Sequence, residues 1–77
     1  MNNLRKARLK ADKSQLKLMK ETGIYFATIS RIENGWLEPT SKQRKKLAKA
    51  LSVKEDWLFP EENNDDAKIV KNQKKGL

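Results

Sequence analysis

The side chains able to do chemistry in this chain are mostly cations. Its 77 residues hold 18 Lys and Arg against 10 Asp and Glu, with no His and no Cys. Without His, the commonest general base and the commonest metal ligand are missing. Without Cys, neither a disulfide framework nor a thiolate metal site can form. No glycine-rich phosphate cradle and no nucleophile–base motif is present. The acids Glu61, Glu62, Asp65 and Asp66 lie close together, but in a polar stretch that reads as a solvated charge run. The sequence therefore predicts no enzyme, no catalytic residue, no metal and no cofactor. What remains is electrostatic attraction. Residues 1–59 carry 14 Lys and Arg against 6 Asp and Glu, and residues 60–77 carry four of each, so the whole +8 excess lies in the first part. A small basic domain attracts polyanions, of which nucleic acid is the usual one. A merely soluble basic surface is the plain alternative.

Positioning those cations requires a fold, and the pattern is helical throughout, with no convincing strand. A first helix is expected from about Asn3 to Ala11, where Leu4, Ala7, Arg8 and Ala11 fall on one face. Ser14 is an N-cap for a second helix, although Lys17 stands where Glu would complete a capping box. Leu18 and Met19 face inward. Gly23 ends this helix, since the left-handed C′ conformation carries no penalty for Gly. A third helix covers about Phe26 to Asn34 with Ile29 and Ile32 inward, and Asn34-Gly35 stops it. Thr40 and Gln43 form a capping box that begins a fourth helix, with Leu47, Ala48 and Leu51 inward and Arg44, Lys45 and Lys49 on flanking or outer faces. Val53, Trp57 and Leu58 predict a short fifth helix that closes the core before Pro60.

Composition sets the outer limits. A chain this short supports one domain with a marginal core and little room for a deep cleft. From Glu61 onward only Ile69, Val70 and Leu77 are large and apolar, too few to offset the cost of ordering. We therefore expect a domain over residues 1–59 and a mobile charged tail over 60–77, a short helix at 67–71 being the minor alternative. MNNLRKARLK has no apolar segment of a secretion signal. No apolar run approaches the roughly 20 residues that span a bilayer, so no membrane is expected and the setting is expected to be cytoplasmic.

The most informative stretch is SQLKLMKETGIYFATISRIENG, Ser14 to Gly35. It reads as helix, glycine turn, helix. Such a turn sets the helices steeply across each other and leaves one face of the second exposed. Ser14-Gln15, Gly23 and Thr28-Ile29-Ser30-Arg31-Ile32-Glu33-Asn34-Gly35 resemble the lambda-repressor-like (Xre/Cro) helix-turn-helix family. Leu47-Ala48-Lys49-Ala50-Leu51, Val53 and Asp56-Trp57-Leu58 are similar to that family's last two helices. The resemblance covers about residues 4–59. It implies an all-α, five-helix domain that binds double-stranded DNA, as a homodimer on a roughly palindromic operator, to regulate transcription, and repression is the expected output, since the family includes phage repressors.

By position, the resemblance implies that Phe26, Ala27, Thr28 and Arg31 face bases. Arg31 is the strongest of these, because its fork can hold guanine O6 and N7 together. A phosphate contact is its alternative. Gln15, Asn34, Lys42 and Arg44 are implied phosphate partners, with helix capping the alternative for Asn34 and a solvated face for Lys42 and Arg44. Arg8 and Glu33 match a buried ion pair whose role is structural. Dimerisation through the fifth helix would use Trp57 and Phe59, unless both are core.

The sequence also departs from the family. Met19 replaces Ala at the close helix crossing, where its flexibility can fill an irregular gap. Thr22 replaces an aliphatic residue. Tyr25 stands where Ser or Thr caps the third helix. Phe26 and Ala27 replace polar readers, and Phe26 is free to touch thymine methyls, sugar or protein. Trp36 follows the helix where small or basic residues are usual, and packing onto the domain is expected of it. The alternative function on the same scaffold is an antitoxin or other protein-interaction module, for which the tail would hold a protein partner.

Overall fold

The computed structural model describes residues 2–60. They form α1 (Leu4–Lys10), α2 (Gln15–Thr22), α3 (Phe26–Glu33), α4 (Ser41–Leu51) and α5 (Glu55–Leu58). The fold is all-helical, and no strand occurs among the described residues. The expectations for the tail and its partner fall on residues 61–77 and lie outside the described residues.

Local chemistry sets the helix ends. Ser14 Oγ accepts the Lys17 backbone N–H at 3.0 Å and starts α2. Gly23, at φ +77°, ends it and donates its N–H to the Met19 carbonyl at 2.7 Å. Thr40 and Gln43 complete the expected box at α4: each side chain accepts the other's backbone N–H, at 3.1 and 3.0 Å. Tyr25 gives α3 no side-chain cap, as its residue type predicts. Ser52 closes α4 in the left-handed region at φ +57°, a position where the sequence pattern gives no glycine to signal it.

The core draws on all five helices. Leu4, Leu18, Ile29, Ile32, Leu47 and Leu58 are fully buried, with Ala7, Ile24, Ala48, Leu51 and Phe59 beside them. Met19 and Val53 pack at its edge. Three apolar expectations are corrected. Ala11 is exposed, because α1 ends at Lys10 and the helical period stops before its fourth member. Trp57 is 41% exposed, and Phe59, at 1%, closes the core in its place. With Leu58 turned inward, its helical neighbour Trp57 points elsewhere, and Phe59 lies past the end of α5 where the chain can fold back. Trp36 is 79% exposed. Its backbone N–H returns to the Arg31 carbonyl at 2.9 Å, which holds the loop to the end of α3 while the indole stands in solvent.

Polar side chains stitch distant segments together. The Asn3 backbone N–H donates to the Leu58 carbonyl at 2.9 Å, and its Nδ2 to the Trp57 carbonyl at 2.7 Å. Asn2 Nδ2 donates to the Ile32 carbonyl at 2.9 Å, tying the start of α1 to the end of α3. Lys13 Nζ reaches Glu21 Oε1 at 2.7 Å and the Ala50 carbonyl at 2.8 Å, joining the α1–α2 turn to α4. No helix among the described residues is long and apolar enough to cross a membrane.

Candidate nucleic-acid interface

The interface is built on the angle between α2 and α3. Gly23 makes the turn, and Thr22 secures it. The buried Thr22 hydroxyl donates to the Leu18 carbonyl at 2.8 Å and accepts the Ile24 N–H at 3.1 Å. A buried hydroxyl is tolerated only when it is hydrogen-bonded, and this one is bonded both ways. The departure from an aliphatic residue therefore has a local reason, invisible until the turn is built.

A second constraint fixes the far end of α3. Arg8 Nε donates to Glu33 Oε2 at 2.6 Å, and Nη2 to Oε1 at 3.3 Å. The two side chains are only 11% and 4% exposed. Arg8 Nη1 also donates to the Lys13 carbonyl at 2.9 Å. Gln15 Nε2 donates to Glu33 Oε1 at 3.2 Å, so α1, α2 and α3 converge on one carboxylate. Glu33 is the only acid on α3, and it is turned inward and neutralised.

The outward face of α3 carries Ala27, Arg31 and Asn34, at i, i+4 and i+7, opposite Ile29 and Ile32. Arg31 and Asn34 are exposed; Ala27 and Thr28 are half-buried. Phe26, at the first helical position, is 37% exposed and stacks on Tyr25 with ring centroids 4.6 Å apart. Thr28 stands off the central stripe. Ser30, half-buried, follows Phe26 at i+4 and lies beside Arg31 on the outward side.

The residues expected at phosphates divide. Lys42 is exposed in the first turn of α4. Arg44 is half-buried and reaches Glu55 Oε1 and the Pro39 carbonyl, both at 3.5 Å. Asn34 Nδ2 donates to the Ser30 carbonyl at 2.8 Å, so its side chain caps its own helix. Gln15 spends one N–H on Glu33 and, having two, keeps another. Among the described residues no cluster of His, Cys, Asp or Glu is arranged to hold a metal ion.

Two short helices joined through a glycine turn, the second without an N-terminal side-chain cap and with Arg31 exposed, are the arrangement of a helix-turn-helix DNA-binding motif. The family model described as helix-turn-helix matches residues 4–58. The chain belongs to this family. Its class is the Xre and lambda-repressor-like helix-turn-helix proteins, which makes it a DNA-binding helix-turn-helix regulator. No curated protein and no solved structure matches the chain. Within the helix-turn-helix protein, the matched segment runs from the first residue of α1 to the last of α5, so every helix described above lies inside the family domain.

Proposed function

We propose that this domain represses transcription by binding a palindromic operator as a homodimer, with α3 of each copy in the major groove. The observation that carries the reading is the outward face of α3. It presents Arg31 with no competing acid, because Glu33 is turned away and paired. In the motif, residues near the start of the second helix reach base edges. Phe26, Ala27 and Thr28 stand in that first turn, and Arg31, one turn beyond Ala27 on the outward face, reads guanine through its fork. Lys42, Gln15 and Asn34 hold phosphates and set the register, and Arg44 contributes from beside Glu55.

Dimerisation rests on Trp57 and not on Phe59, whose ring is in the core. Trp57 edges an open groove of about 600 Å³ lined by Ala7, Ala11, Leu51 and Val53 and flanked by Lys10 and Lys54. An isologous contact uses the same patch on both copies, and exposed Trp surface is suited to it.

Selection of bound duplexes from a randomised pool at about 150 mM salt tests the reading, since phosphate-only binding is suppressed near that ionic strength. The expected result is a palindrome with half-sites one turn apart, about 34–36 Å. Folded protein that enriches no motif overturns it.

A further inference from the structure

The first turn of α3 is unusual for a reading helix, because it opens on two adjacent rings. Phe26 and Ala27 carry neither donor nor acceptor. Tyr25 is 59% exposed and makes no side-chain cap bond to the helix it precedes. Its ring lies against Phe26 at a 37° tilt, so the two form one exposed aromatic surface. The rest of the outward face is the polar Ser30, Arg31 and Asn34.

A ring surface delivered into the major groove has few partners there. Base edges offer nitrogen and oxygen donors and acceptors, which an apolar ring can only desolvate. The exception is the methyl group at C5 of thymine. Cytosine methylated at C5 offers the same group in the same place. Burying a methyl against a ring is favourable, whereas covering an N7 or O6 without a hydrogen bond is costly. Where a ring face meets the base edge, it thus favours a methyl over an unmethylated edge.

Resting on the docking of α3 in the major groove, we propose that the stacked Tyr25–Phe26 pair reads a C5-methyl group. Each half-site then carries that methyl beside the guanine held by Arg31. The aromatic pair is a specificity determinant that works by apolar contact, and Arg31 is one that works by hydrogen bonds.

The test takes the duplex enriched by selection and changes one methyl at a time. Each thymine is replaced by deoxyuridine, which removes the methyl and preserves pairing. Each cytosine is separately replaced by 5-methylcytosine. Affinity is measured for the full chain, for Phe26→Gln and for Tyr25→Ser. The last variant removes the outer ring while supplying a capping hydroxyl, so it keeps α3 folded. A thymine reader loses about fourfold at one position of each half-site on deoxyuridine, the effect of withdrawing one buried methyl-sized group, and both variants lose that sensitivity. A reader of methylated cytosine instead gains by the same factor at a 5-methylcytosine and ignores deoxyuridine. Specific binding that is indifferent to every methyl, or a sensitivity unchanged in both variants, overturns the proposal and leaves the docking of α3 standing. Failure to enrich any duplex overturns both.

Discussion

Arg8 and Glu33 meet through two hydrogen bonds across 25 residues of chain, the shorter at 2.6 Å, and so clamp α1 to the last turn of α3. The clamp holds α3 from its buried side. Gln15 joins it from the start of α2, which means that the three helices around the motif share one anchoring carboxylate. Removing one partner strands the other in a nearly dry site. Arg8→Ala and Glu33→Ala should each cost about 3–5 kcal/mol in urea unfolding. Replacing both by apolar residues of similar volume should recover most of that loss. A double variant as unstable as the singles would show that the pair contributes net stability beyond mutual neutralisation.

The Thr22 hydroxyl invites a sharper substitution. Thr22→Val keeps the shape and deletes the oxygen, leaving the Ile24 N–H without the acceptor it has now. A buried donor left unsatisfied costs about 1–3 kcal/mol. The unfolding midpoint should fall accordingly with the denaturant slope unchanged. No shift in the midpoint would mean that the turn relaxes to satisfy that N–H in another way.

Two left-handed residues should respond with opposite signs. At Gly23 an added Cβ meets no atom within 4 Å, so Gly23→Ala tests backbone strain alone. Its expected cost is about 1–2 kcal/mol. Ser52 already carries that strain at φ +57°, and Ser52→Gly should relieve it and raise stability by on the order of 1 kcal/mol. Thermal melts of both variants against the parent decide the signs.

Base reading and phosphate holding separate by salt. Arg31→Ala should relax preference at one base position by about 1–3 kcal/mol while other positions keep theirs. Lys42→Ala should weaken binding to all sequences alike and lower the slope of log K against log salt by about 0.9. Affinities for a set of single-base operator variants, titrated across salt, measure both. An Arg31 variant with intact base preference removes that residue from the readers.

What the sequence made legible follows the range of the interaction. Ser14, Gly23 and the Thr40–Gln43 box act within four residues, and their types alone mark the helix ends. The helical period placed Leu4, Leu18, Ile29, Ile32 and Leu47 in the core. The Arg8–Glu33 pair came through the family resemblance, because a contact over 25 residues leaves no local pattern. The large aromatics were least legible. Trp36, Trp57 and Phe59 are alike in hydrophobicity, and the loop and the short α5 carry too little periodicity to say which turns inward. Of the candidate site, the exposure of Arg31 and Lys42 was visible from residue positions. The capping of Ser30 by Asn34 and the Glu33 contact of Gln15 depend on side-chain directions that only the assembled helices fix.

The bond from Asn3 to Leu58 has a consequence for connectivity. Since the start of α1 and the end of α5 already touch, a linker of a few residues could join them, and the ring so formed could be opened elsewhere. The exposed stretch at Trp36 and Leu37 is a suitable place to cut. A circular permutant beginning there would run α4, α5, α1, α2, α3 and end just after α3. The packing described here treats that order as equivalent to the natural one: the geometry presented to DNA belongs to a closed circuit of helices, and the route the chain takes around it is free to vary.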